Sequence, residues 1–317
     1  MDSFTHFLIG ILISWFTLNR FGFAMVVYMG IMAVSPDFDV VFETFKFIRR
    51  NVNLSHKGIS HSYVFAVAIT AITGAIFSFF TKIPFLYVWP LGFLFYSLHI
   101  TLDFLAASKT PIFYPISRKR YRFFIDRAIN FNLILISLAI MLTYVIIFFL
   151  WPPFTLIIFS YYASGFYIIY FSWRIIMKIY FKVKLPPSHR FIPGITPFTY
   201  YIYSTNTKND EQQFTLVKKN ILTSNSMTLF DSKLNLNSIQ AYFYQKSLIL
   251  AKEYAFFSKW EDKIPFFTEY DHTLSVTILL AESYFRNSGY GFQATFDLKS
   301  NAVINKSEGF NLHLKKK

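Results

Sequence analysis

The residues best suited to chemistry in this chain are four histidines and a few aspartates set in an otherwise apolar N-terminal half. Two imidazoles bracket a glycine in His56-Lys57-Gly58-Ile59-Ser60-His61-Ser62, just before an apolar run. The glycine would let the backbone turn between them, and Ser60 or Ser62 would cap the helix that follows. His99 and Asp103 are four residues apart in a second run, so on a helix they share a face. In Ser35-Pro36-Asp37-Phe38-Asp39 a proline stops a helix and two carboxylates follow at i, i+2. In an extended segment those two would point the same way. His6 lies near the start. Neutral imidazole and carboxylate are ligands of zinc and of harder ions such as manganese. With no cysteine in the chain, disulfides, thiolate ligands and a Cys nucleophile are excluded, and His and carboxylate must hold any metal.

Each fragment alone also has a structural reading. His99 and Asp103 could be a metal pair or a buried hydrogen bond between helices. Asp37 and Asp39 could be ligands or solvated acids at a helix end. A lone interfacial histidine such as His6 gains weight only from its company. His189, His272 and His313 read as structural or surface residues.

What raises the fragments above coincidence is the segments that carry them. Of the 317 residues, 54% are hydrophobic and 15% charged, with 41 Phe and 21 Tyr, whereas a soluble domain is nearer a quarter charged. Residues 62–80, 85–106, 133–151 and 154–171, the last continuing helically towards Phe181, approach or reach the roughly 20 apolar residues that cross a bilayer. Residues 4–18 and 22–34 are shorter, and predict either a full helical hairpin or one that dips into the membrane. No cleavable signal pattern is evident there, so residues 1–18 are expected in the mature protein. The predicted fold is an α-helical polytopic membrane domain of about six helices over residues 1–182. A linker and a small, mainly β cytoplasmic domain follow over 183–317. Leu185-Pro186-Pro187 and Pro193-Gly194 mark the linker. Residues 198–204, 213–222, 239–250, 273–280 and 291–298 are predicted strands, with a turn at 205–210. The Lys315-Lys316-Lys317 tail reads as a solvated end.

The charge is +14, from 31 Lys+Arg against 17 Asp+Glu. No aromatic-basic RNA-binding motif accompanies it, so nucleic acid is not an expected partner. Lys/Arg excess on cytoplasmic loops of a membrane protein accounts for it. Lys46, Arg49, Arg50 and Lys57 follow the second run, and Lys109, Arg118, Lys119, Arg120, Arg122 and Arg127 follow the fourth. The opposite loops carry little. Six crossings would then place both termini and the soluble domain of a multi-pass membrane protein in the cytoplasm. On that topology His6, Asp37, Asp39, His56, His61, His99 and Asp103 fall at one membrane face. An ionisable group in hydrocarbon costs at least about 2.5–3.5 kcal/mol, a cost that a shared metal would offset.

Taken in order, these motifs resemble the YdjM/YbcI-like family of inner-membrane proteins, to which metal-dependent hydrolysis is ascribed. The resemblance rests on Thr5-His6, Pro36 to Asp39, His56 to Ser62, and His99 to Asp103 followed by small residues and Pro111, and covers about residues 1–130. The Gly that typically follows the last Asp is missing from Ala106-Ala107-Ser108-Lys109-Thr110-Pro111. Asp126 stands where relatives often have another acid. The resemblance implies a divalent ion, zinc first and manganese second, on His56, His61, His99 and Asp103, with His6 and Asp37 in support. Asp39 would be a ligand, bridge two ions or act as the general base. A distant similarity to zinc-dependent phospholipases C suggests phosphoester chemistry on a lipid or lipid-linked substrate, with Lys57 and Arg118 to Arg120 available to attract an anion. A metal or proton transporter using the same residues, and a non-catalytic partner-binding membrane protein, are the alternatives.

Overall fold

The computed structural model describes residues 2–42, 45, 56–106, 109–127, 130–254, 257, 260–284 and 288–310. Glu43, Lys46, Arg49, Arg50, Ala107, Ser108, His313 and the Lys315–Lys317 tail lie outside the described residues. The chain divides into two compact units, one of residues 1–179 with 195–197, the other of 180–194 with 198–317.

In the first unit, α1 (Ser3–Ser14) runs through a 3₁₀ turn into α2 (Leu18–Met32). Gly22 breaks the helix at φ 76°, ψ 174°, a conformation open to glycine. The chain folds back there, bringing Gly30 against Ile11 and Ala33 against Gly10. The second arm, residues 23–32, is about 15 Å long, half of a hydrocarbon core of roughly 30 Å. The hairpin that dips fits better than two full crossings. A 3₁₀ turn (Ser35–Phe38) and the short α3 (Asp39–Phe42) follow. Asp37 and Asp39 are therefore helical, not extended, because Pro36 is accommodated at the start of a new turn.

Four long apolar helices complete the unit: α4 (Tyr63–Thr81), α5 (Phe85–Leu105), α6 (Phe131–Leu150) and α7 (Pro153–Lys184). Each is long enough to cross a membrane, and with the Ser3–Met32 stretch they make five candidate spans among the described residues. Their outer faces are bare of polar cover, with Phe80, Leu86 and Phe149 about three-quarters exposed, which only a lipid surrounding makes favourable. Ser62 caps α4 by accepting from Val64 N–H, and Asn130 caps α6 by accepting from Leu133 N–H. The segment after α5 is stitched back by a two-way backbone pair between Thr110 and Tyr121. Tyr63 N–H donates to the Ile112 carbonyl and Phe123 N–H to the Phe104 carbonyl, which lays this segment over the start of α4 and the end of α5.

The second unit holds two antiparallel meanders. β1 (His189–Pro193), β2 (Thr199–Lys208), β3 (Glu211–Asn220) and β4 (Ser226–Asn235) form the first sheet. β5 (Lys263–Tyr270), β6 (Thr273–Leu280), β7 (Gly291–Asp297) and β8 (Val303–Gly309) form the second. The turn between β2 and β3 is tighter than the sequence predicts, only Asn209 and Asp210, both at positive φ as a two-residue hairpin needs. Residues 239–250, expected as a strand, are helical: α8 spans Ile239–Ala251. Ser238 caps it, and its buried Ala241, Tyr244, Ser247 and Ala251 recur every three or four residues, the helical period. Phe243 packs on Phe296 of one sheet and Tyr244 on Phe214 of the other, so α8 joins the two meanders.

Candidate metal centre

The site is built where the start of α1, the turn after α2, the segment before α4 and the last turns of α5 meet. His99 and Asp103 lie on one face of α5, both fully buried, 3.7 Å apart at Nε2 and Oδ2. His99 Nδ1–H donates to the Ala33 carbonyl at 2.8 Å, which leaves the lone pair on Nε2. His61 is set the same way by a longer chain. Ser60 Oγ donates to Asp39 Oδ2, so it accepts from His61 Nδ1–H at 2.9 Å. The Nε2 lone pair of His61 then also faces inward.

Four atoms converge as a result. His61 Nε2 is 3.3 Å from His99 Nε2, 3.4 Å from Asp37 Oδ1 and 3.0 Å from Asp103 Oδ2. His99 Nε2 is 3.3 Å from Asp37 Oδ1. Ligands about 2.0–2.1 Å from a tetrahedral ion stand about 3.3–3.4 Å from one another, so these spacings fit one small divalent cation. The buried Asp37 Oδ1 accepts no hydrogen bond, as expected of an oxygen that faces lone pairs and awaits a cation. Asp37, His61, His99 and Asp103 together form a buried cluster able to bind a divalent metal.

The electrostatics agree. Burial disfavours the His61 cation, yet the adjacent carboxylates of Asp103, Asp37 and Asp39 more than reverse this and push its pKa up to about 10. Burial would raise the Asp37 carboxyl, but the neighbouring His99 charge and the close approach of the His61 and His99 imidazoles hold it below the usual carboxylate range. Asp39 is likewise held low against burial, by His56 and His61. The pocket calls for positive charge, either a proton or a metal in its place.

The other expected site residues surround this core. His6 stacks on His99 at 3.9 Å between ring centroids, and its Nε2 lies 3.2 Å from Asp103 Oδ1. His56 does not join the four; its Nδ1 is 2.6 Å from Asp39 Oδ1, and its Nε2 is 3.9 Å from Asp37 Oδ1. Asp39 is taken up by His56, Ser60 and the Lys57 N–H. Lys57 turns inward, its Nζ donating to Asp103 Oδ1 at 3.0 Å. Burial would lower its pKa, but the charges of Asp103 and Asp37 raise it above the ordinary value. The left-handed residue of this loop is Lys57, at φ 61°, and Gly58 sits at φ −92°, ψ −131°. The long Lys57 side chain can reach Asp103 because the backbone is turned at its own Cα.

Ser60, expected as a helix cap, instead holds His61, and the Ala33 carbonyl behind His99 is not foreseen from the sequence. A serine between two site residues was the only signal for the first, and a main-chain acceptor leaves none. Tyr96 OH, which donates to the Ser60 carbonyl at 2.9 Å, was missed as well. Of the basic run, Lys119 lies over the Tyr121 ring and Arg120 reaches the Lys57 and Lys109 carbonyls. Burial pulls the Arg120 guanidinium down to about 10. His189 bonds its neighbour Ser188, and His272 is exposed.

Asp126 belongs to another network. It accepts from Asn130, from Tyr170 OH at 2.6 Å and from Arg127 N–H, with Arg174 at 3.4 Å. These contacts tie α6 and α7 together. Asp126→Asn is expected to lower stability by about 1–3 kcal/mol while leaving metal content unchanged. Thermal unfolding in detergent with parallel metal analysis checks both halves.

Comparison with curated proteins and with solved structures gives no match. Residues 1–179, which carry every residue of this centre, match the family model described as YdjM inner membrane protein. That match spans more than half of the 317 residues, and the chain belongs to the YdjM inner membrane protein family.

Proposed function

We propose that the protein is a membrane-bound, metal-dependent hydrolase acting on an ester or phosphoester of a lipid or lipid-linked substrate. The observation that carries this reading is the convergence of His61 Nε2, His99 Nε2, Asp37 Oδ1 and Asp103 Oδ2 at near-tetrahedral spacing. Two nitrogen and two oxygen donors suit zinc first, with manganese second. When bound, such an ion would polarise the ester and lower the pKa of water from 15.7 to about 7.

The chain's own residues supply the rest. Ala33 and the Ser60–Asp39 pair fix the two imidazoles, a support that typically governs metal affinity about 10–100-fold. Asp39 has both oxygens engaged, so its part is to orient His56. That leaves His56 Nε2, on the more open side of the cluster, to hold or pass on a proton. Arg120, over the Lys57 carbonyl, adds positive charge for an anionic group. The site sits near one end of the long helices, where a headgroup can approach while its acyl chains stay in the bilayer. The Lys/Arg excess over residues 109–127 supports the cytoplasmic side for that end and for both termini.

Detergent-purified protein is expected to retain metal and to release product from a phosphodiester or phosphomonoester lipid. His61→Ala should lose both. Unchanged metal content in His61→Ala would sink the reading.

A further inference from the structure

We propose that this centre holds a single divalent ion, and that Lys57 is a built-in cation standing where a second ion would otherwise bind. The inference rests on the metal reading above and settles the number of ions within it.

Asp37, Asp39 and Asp103 bring three negative charges, and Lys57 brings one positive charge. With Nδ1–H of His61 and His99 hydrogen-bonded, an ion on their Nε2 atoms would take the place of a proton, and both imidazoles then count as neutral. The balance is −2, which one divalent ion closes. Two ions would leave +2 in a buried place, and a buried net charge is costly unless paired.

Ligand geometry gives the same count. A second ion needs a bridging carboxylate with a free oxygen. Asp103 has Oδ2 turned to His61 and His99, while Oδ1 takes Lys57 Nζ at 3.0 Å and His6 Nε2 at 3.2 Å. Asp39 has Oδ1 on His56 and Oδ2 on Ser60 and the Lys57 N–H. Lys57 therefore contributes at both carboxylates, by its ammonium at one and its backbone at the other. Its ammonium occupies the position where Asp103 Oδ1 and His6 Nε2 would be two ligands of another ion.

The test uses full-length, detergent-purified protein stripped with chelator and titrated with Mn²⁺. Bound metal is counted after equilibrium dialysis, and the paramagnetic resonance spectrum tells isolated from coupled ions. The wild type should saturate at one equivalent with an uncoupled spectrum. Lys57→Met should take up a second equivalent and show coupling. Lys57→Arg keeps the charge and should remain at one. Two coupled ions in the wild type would overturn the assignment while leaving the metal reading intact. No bound ion would overturn both. A folded Lys57→Met that still saturates at one equivalent would remove the role given to Lys57, and if that variant does not fold, the wild type and Lys57→Arg counts decide.

Discussion

Asp103→Ala should purify without metal and unfold well below the wild type. Asp103 is wholly buried, with Lys57 at 3.0 Å, His61 at 3.0 Å, His6 at 3.2 Å and His99 at 3.7 Å. Truncation removes a metal ligand and strands the Lys57 ammonium in a buried site. Breaking a buried ion pair from one side costs about 3–5 kcal/mol, a large part of the 5–15 kcal/mol that holds a typical domain together. The two losses can be separated. Combining Asp103→Ala with Lys57→Met removes the stranded charge and should recover most of the thermal stability, while metal stays absent. Metal analysis and thermal unfolding of the four proteins of this cycle give the coupling directly. A single mutant with wild-type metal content and melting temperature would contradict the geometry from which the centre is built.

Gly10→Val, at a position that supplies no ligand itself, is expected to weaken metal binding about 10–100-fold, the range seen when support behind a ligand is lost. A Cβ at Gly10 would lie 2.4 Å from the Ala33 Cβ, so the two arms of the α1–α2 hairpin must part. Ala33 cannot yield without consequence, because its carbonyl holds His99 Nδ1 and Asp37 follows four residues on. Overpacking of this kind also costs about 1–3 kcal/mol of stability. Gly10→Ala should show the same two losses in smaller measure. A metal titration of both variants checks the order wild type, Ala, Val. Equal affinities would show that hairpin spacing does not position the site.

Much of this arrangement was legible in the residues. The apolar runs located the long helices to within a few residues, since crossing a bilayer demands a length of apolar sequence that few other structures require. His99 and Asp103 were readable as a pair because helical spacing is rigid. Residues 239–250 were misread because a run of apolar and aromatic residues suits a strand or a helix, and the capping Ser238 was the feature that decided. β1, β4, β5 and β8 were passed over because their burial is irregular or slight, so they lack the clean alternation by which a half-buried strand is recognised.

The sequence by itself determined the chemistry available: imidazole and carboxylate without thiolate, confined to the ends of apolar helices where a charge must be compensated. Only the tertiary structure decided how the seven residues divide. Asp37, His61, His99 and Asp103 face one point, His6 stacks behind them, and His56 and Asp39 pair to one side. The physical reason is that a ligand atom's direction depends on partners that are distant in sequence. The Ala33 carbonyl turns His99, Ser60 turns His61, and the inward reach of Lys57 follows from a backbone angle that no spacing rule specifies.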